Sequence, residues 1–85
     1  MSAFRWNPLK NERLKKTRGV SFEEVLQGVM ITTKSHPSRK DQYVMLIDYR
    51  DYVWVVPFVK EGEDIFLKTL YPNRKFKKLY ERGEL

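Results

Sequence analysis

Two helix-forming stretches near the start, β-branched and aromatic runs through the middle and one basic helical stretch at the end predict a small α+β domain. The chain reads as an N-terminal strand and two helices, then an antiparallel sheet of three to four strands, then a C-terminal helix, in one domain over residues 1–85. Eighty-five residues bury only about 60–65% of the surface their unfolded chain exposes, too little for a second core. A composition that is 41% hydrophobic, with two Trp, five Tyr and five Phe, still supplies the side chains of one core and excludes a disordered tail.

The elements follow in order. "AFRW" is a short aromatic strand, and "NPLKNERLKKTRG" is a helix with Asn7 as N-cap, Pro8 at its first position and Gly19 as its stop. Only Leu9 and Leu14 give this helix an inward face, so Lys10, Arg13, Lys15, Lys16 and Arg18 point outward. In "SFEEVLQG", Ser21 and Glu24 stand in capping-box register, Phe22, Val25 and Leu26 share a side, and Gly28 closes the helix. The period then changes to that of strands. "VMITT" is a short strand, "KSHPSRKDQ" a polar loop, and "YVMLIDY" and "YVWVVPFV" form a hairpin across "RD". "KEGED" turns the chain into the strand "IFLKTLY", completing a three-stranded meander over residues 43–71. Pro57 cannot donate to a central ladder, so it marks a bulge or an outward-facing edge. After Pro72, "NRKFKKLYERG" is a helix with Asn73 near its N-cap, docking through Phe76, Leu79 and Tyr80.

Composition narrows the function classes. Without cysteine there is neither a disulfide framework nor a thiolate zinc site, and a cytoplasmic protein is expected. No apolar stretch approaches the roughly 18 residues of a membrane span, and "MSAFRWNPLK" lacks the apolar middle of a secretion signal. The net charge of +6 is unevenly spread: +5 over residues 1–20, −3 over 21–66 and +4 over 67–85. If the two basic ends meet in space they form one surface suited to a polyanion; otherwise they are solvated helix faces.

Alternation in "IFLKTLY" puts Phe66, Lys68 and Leu70 on one face and Ile65, Leu67, Thr69 and Tyr71 on the other. Lys68 therefore interrupts an otherwise apolar face. Either its stem lies across that face with the ammonium in water, or it ends in a concavity where Arg74 and Lys75 join it around a phosphate. Glu23 and Glu24 suit the helix cap better than a catalytic pair, and Asp48 and Asp51 suit a hairpin turn better than a metal site. Trp6 and Trp54 are expected in the core.

"FRWNPLKNERLKK", "RGVSFEEV" and "IFLKTLYPNRKFKKLY" together resemble the BrnT-type toxins of bacterial type II toxin–antitoxin systems, relatives of the RelE superfamily. The resemblance covers nearly the whole chain, and the hexapeptide Gly19-Val20-Ser21-Phe22-Glu23-Glu24 after "WNPLKN" is its most specific part. It implies a RelE or microbial-ribonuclease-like fold and a metal-independent endoribonuclease needing no cofactor. Such an enzyme cleaves mRNA, free or on the ribosome, by 2′-OH attack to a 2′,3′-cyclic phosphate, and so inhibits translation and growth. It also implies a cognate antitoxin as partner, with operator DNA reached only through that antitoxin.

By position, the resemblance assigns Lys68 and Arg74 to transition-state charge and Tyr80 to orienting or protonating substrate. A histidine often found before the family's Ser-Phe-Glu motif is replaced here by Lys16-Thr17-Arg18-Gly19. His36, the chain's single histidine, is then a candidate acid or base, or else an ordinary loop residue. The expected RNA contacts are Lys10, Lys15, Lys16, Arg18, Arg39, Lys40, Lys75 and Lys78. The competing function is a non-catalytic nucleic-acid-binding module, or a degenerate toxin that only binds its antitoxin, built from the same cations.

Overall fold

The computed structural model describes residues 3–85. Its elements are β1 (Phe4–Arg5), α1 (Pro8–Arg18), α2 (Phe22–Val25), β2 (Val29–Ser35), β3 (Gln42–Tyr49), β4 (Tyr52–Glu61), β5 (Asp64–Leu67), β6 (Tyr71–Pro72) and α3 (Arg74–Glu81). The strands form one sheet in the order β1-β5-β4-β3-β2, with β6 also paired to β4. The α+β reading holds, but the sheet has six strands and is mixed. The opening strand β1 runs parallel to β5, placing Phe4 opposite Ile65.

Strict alternation along β3 and β4 sorts the core onto two faces. Met45, Ile47, Trp54, Val56 and Phe58 meet Leu14 of α1 and Phe22 and Val25 of α2 on one face. Leu46, Val53 and Val55 meet Phe76 and Tyr80 of α3 on the other. The sheet thus separates α1 and α2 from α3. The two basic ends of the chain lie across it from one another and do not merge into one surface.

The caps form as expected. Asn7 Oδ1 accepts from the backbone N–H groups of Leu9 and Lys10, and Gly19 ends α1 at a φ of 75°. Ser21 Oγ accepts from Glu24 N at 3.2 Å. Trp54 is buried and donates its indole N–H to the Tyr49 carbonyl, while Trp6 packs on Phe22 with ring centroids 5.8 Å apart. Arg50 and Asp51 both take positive φ (52° and 58°), the primed turn that matches the twist of the hairpin they close.

Four expectations change. Residues 65–71 are not one strand: β5 ends at Leu67, and the chain rejoins β4 only at Tyr71. β4 advances three residues from Phe58 to Val55 while its partner advances four from Leu67 to Tyr71, so an extra residue bulges out beside Pro57. Pro57 therefore sits in a central strand opposite a bulge, where its carbonyl accepts from Lys68 N at 2.8 Å. Because of this bulge Leu67 and Leu70 lie in the same core cluster, against the alternation expected of an unbroken strand. Second, Leu9 is 73% exposed. Polar pins replace an apolar stripe on α1, since Asn11 Oδ1 accepts from Phe22 N at 2.7 Å and Asn11 Nδ2 donates to Glu23 at 2.5 Å. Third, Gly28 is no helix stop. It lies against β3, where a Cβ would collide with the Asp48 carbonyl oxygen. Fourth, Leu79 does not dock with Phe76 and Tyr80; it lies on a flank of α3 among cations.

Candidate functional site

α3 covers only one end of its face of the sheet. At the other end Val44, Pro57 and Val59 remain half-buried. Residues of the β2–β3 loop and of the bulge after β5 come together at this end of the sheet. They enclose a cavity of about 360 Å³ lined by His36, Arg39, Gln42, Tyr43, Val44, Pro57, Phe58, Val59, Lys68 and Tyr71. Arg39 and Lys68 bring two cations to it, His36 adds an imidazole, and no carboxylate lines it. A cationic concavity on an apolar floor attracts phosphate and strengthens whatever hydrogen bonds it makes there.

Each polar group is held by a local device. At the bulge the Lys68 side chain is exposed, with its ammonium 5.4 Å from the centre of the Phe66 ring. That ring face holds the charge without neutralising it. His36 Nδ1 accepts from the backbone N–H groups of Ser38 and Arg39, both at 3.2 Å. With Nδ1 committed as an acceptor, the imidazole carries its proton on Nε2, which is the nitrogen left for a ligand. The same turn ties Arg39 to His36. Tyr43 stacks on Phe58 at 5.4 Å and carries Lys60 over its ring at 4.6 Å, stiffening the neighbouring wall.

The remaining candidates lie elsewhere. Lys40 lines a separate concavity formed by residues 35–43 of the same loop and its flanks. Arg74, Lys75 and Lys78 line a groove on α3 with Leu79 and Arg82. Tyr80 lies in a third depression with Asp48, Asp51, Lys77 and Glu81. The neighbouring Asp48 carboxylate, which favours the protonated hydroxyl, and then desolvation raise its pKa above the usual 10.0. Lys10, Lys15, Lys16 and Arg18 belong to α1, across the sheet, and Lys15 is paired with Glu24. A concavity of about 600 Å³ between α1 and α2 is lined by Glu12, Glu23 and Glu24 as well as Lys15 and Lys16. Its carboxylates make it unsuited to a phosphate.

Sequence reasoning missed Tyr71 and Gln42 as lining residues. Alternation places Tyr71 in an unbroken strand, and the signal against this is the Pro72 beside it, which limits pairing after that point. Among the described residues no group of three His, Cys, Asp or Glu side chains is arranged to hold a metal ion. No helix among them is long and apolar enough to cross a membrane.

No protein-family model and no curated protein matches the sequence. Among solved structures, the chain is similar in fold to the Brucella abortus ribonuclease toxin BrnT, with a TM-score of 0.58 and 14% sequence identity. The match covers 86% of this chain and 97% of that one.

Proposed function

We propose that this chain is an endoribonuclease of the toxin kind, and that the cavity between the β2–β3 loop and the β5–β6 bulge is where it holds the scissile phosphate. The observation that carries the reading is the convergence of His36, Arg39 and Lys68, with no carboxylate, on the uncovered end of the sheet. The shared fold with a ribonuclease toxin supports it.

RNA brings its own nucleophile. The ribose 2′ oxygen bonds to phosphorus as the bond to the 5′ oxygen breaks, leaving a 2′,3′-cyclic phosphate and a 5′-OH. The 2′ proton goes to solvent water and the departing oxygen takes one from the same pool. The chain's share of the work is to align the reacting atoms and to stabilise the charge that develops on the phosphate, which together lower the barrier most in such reactions. Lys68 provides a point charge and Arg39 a planar fork for the non-bridging oxygens. In this arrangement His36, with Nδ1 already accepting from the loop backbone, donates from Nε2 to a phosphate oxygen and is not the proton acceptor. Tyr71 offers a ring for an adjacent base to stack on. Arg74, three residues beyond Tyr71, takes the neighbouring phosphate. Tyr80 acts indirectly, its contact with Asp48 helping to fix α3 against the sheet.

In this reading growth inhibition follows from mRNA loss, and a cognate antitoxin silences the chain by filling the cavity. The test is cleavage of end-labelled mRNA in EDTA, comparing the parent with Lys68→Ala and mapping the new ends. Cyclic-phosphate ends from the parent are expected. The variant should lose about 10²–10³ in kcat, as enzymes do on losing one transition-state donor, with RNA affinity nearly unchanged. Binding without cleavage by the parent, repeated with translating ribosomes, would leave a phosphate-binding module and sink the ribonuclease.

A further inference from the structure

One flank of α3 carries Arg74, Lys78 and Arg82 at intervals of four residues, with Lys75 and Leu79 alongside. At a rise of about 1.5 Å per residue, that interval places one cation every ~6 Å along the axis. Such a pitch is comparable to the spacing of successive phosphates on an extended strand. Arg74, Lys75 and Lys78 have no ion-pair partner among the described residues, and Arg82 has only a loose one, Glu84 at 3.9 Å. All four cations are exposed, whereas Leu79 is half-buried between them. The opposite side of the helix is committed to the sheet through Phe76 and Tyr80. The ladder also follows the cavity closely along the chain: Tyr71 lines the cavity and Arg74 opens the helix three residues later.

We infer that this stripe is a separate site for single-stranded RNA, binding three consecutive phosphates on the stretch of substrate that leaves the Lys68 cavity. Arg74, Lys78 and Arg82 each meet one phosphate, and Leu79 offers an apolar rest to a ribose or base. The choice of occupant rests on the ribonuclease reading. It is also favoured by the groove itself, which has four cations and a single apolar residue. An acidic protein partner would need a larger apolar anchor to bind stably. The stripe makes the enzyme prefer long unpaired RNA to a dinucleotide spanning only the scissile bond.

The experiment measures affinity for a long single-stranded RNA against salt, in the Lys68→Ala background so that cleavage does not interfere. Each single-strand phosphate contact contributes about 0.7 to the log–log slope, so Lys78→Ala with Arg82→Ala should flatten it by about 1.4. The exchange Lys78→Arg with Arg82→Lys should restore the slope, which also shows that the helix is intact. Lys16→Ala with Arg18→Ala, an equal charge loss on α1, should flatten the slope far less than the α3 variant does. An unchanged slope in the α3 variant, or an equal loss in the α1 variant, overturns the proposal. So does a stripe that binds polyglutamate in place of RNA. Cleavage by the parent is scored separately: if it is absent while the slope still depends on the stripe, the ribonuclease reading falls and the strand-binding stripe stands.

Discussion

Lys68 and Tyr80 belong to one reaction by resemblance, yet their surroundings are opposite. Lys68 is exposed on a bulge with only a ring face beneath its ammonium, whereas Tyr80 is half-buried with its hydroxyl engaged by Asp48. Nothing in residue type or spacing distinguishes the two, because the difference arises from a carboxylate thirty-two positions away in sequence. The Tyr80 contact leads to a test in alkali. A phenol whose folded-state pKa is raised contributes stability that is fully present below its unfolded value near 10.0 and is lost as pH rises through the folded value. Tyr80→Phe should therefore melt below the parent at neutral pH, and the gap should close above about pH 10. Thermal melts of both proteins from neutral to strongly alkaline pH measure this. A gap independent of pH would mean that the hydroxyl contributes nothing through Asp48.

At the scale of elements, caps and turns were legible because each depends on a few adjacent residues. Asn7, Ser21, Gly19 and Asn73 all act where their residue types suggest. What could not be read locally was set by contacts distant in the chain. The bulge after β5 depends on Pro57 in the neighbouring strand, and Gly28 depends on the β3 backbone. A methyl group at Gly28 would collide with the Asp48 carbonyl oxygen and stand 2.7 Å from Ile47 Cγ2, and backbone cannot yield as a flexible side chain can. Gly28→Ala should cost about 1–3 kcal/mol of stability in denaturant titration, the usual range for overpacking. A cost below a few tenths would show that α2 is free to shift away from the sheet.

Glu24 joins three elements at once. It receives Lys15 from α1, Ser21 from the start of α2 and Arg50 from the β3–β4 turn. The hydrogen bond from Lys15, helped by that from Ser21 and opposed by desolvation, holds its carboxyl below the usual 4.5. A lowered carboxylate contributes stability above its unfolded pKa and loses it as pH falls through the folded one. Glu24→Gln should melt below the parent at pH 7, and the two should converge below about pH 4.5. Melts that stay equally far apart down to pH 3 would place the effect in side-chain shape rather than charge.

For the whole molecule, total charge was legible and its arrangement was not. Summing Lys and Arg along the chain points to a polyanion, but the sheet decides which cations can act together. α1 and α3 sit on opposite faces of a body whose smallest extent is 24 Å. The Debye length at physiological salt is only about 8 Å, so the α1 cations reach an RNA in the Lys68 cavity as a weak field and not as contacts. Their expected role as RNA ligands thus becomes a question of ionic strength. Replacing Lys10, Lys16 and Arg18 with Gln should slow RNA association at low salt and leave both affinity and kcat near the parent's at physiological salt. Lys15 is left in place because its removal would also release Glu24. Association rates across a salt series, with single-turnover cleavage at each point, make the measurement. A loss of affinity that persists at physiological salt would mean that RNA wraps around the edge of the sheet and touches α1 directly, giving the chain a second binding face.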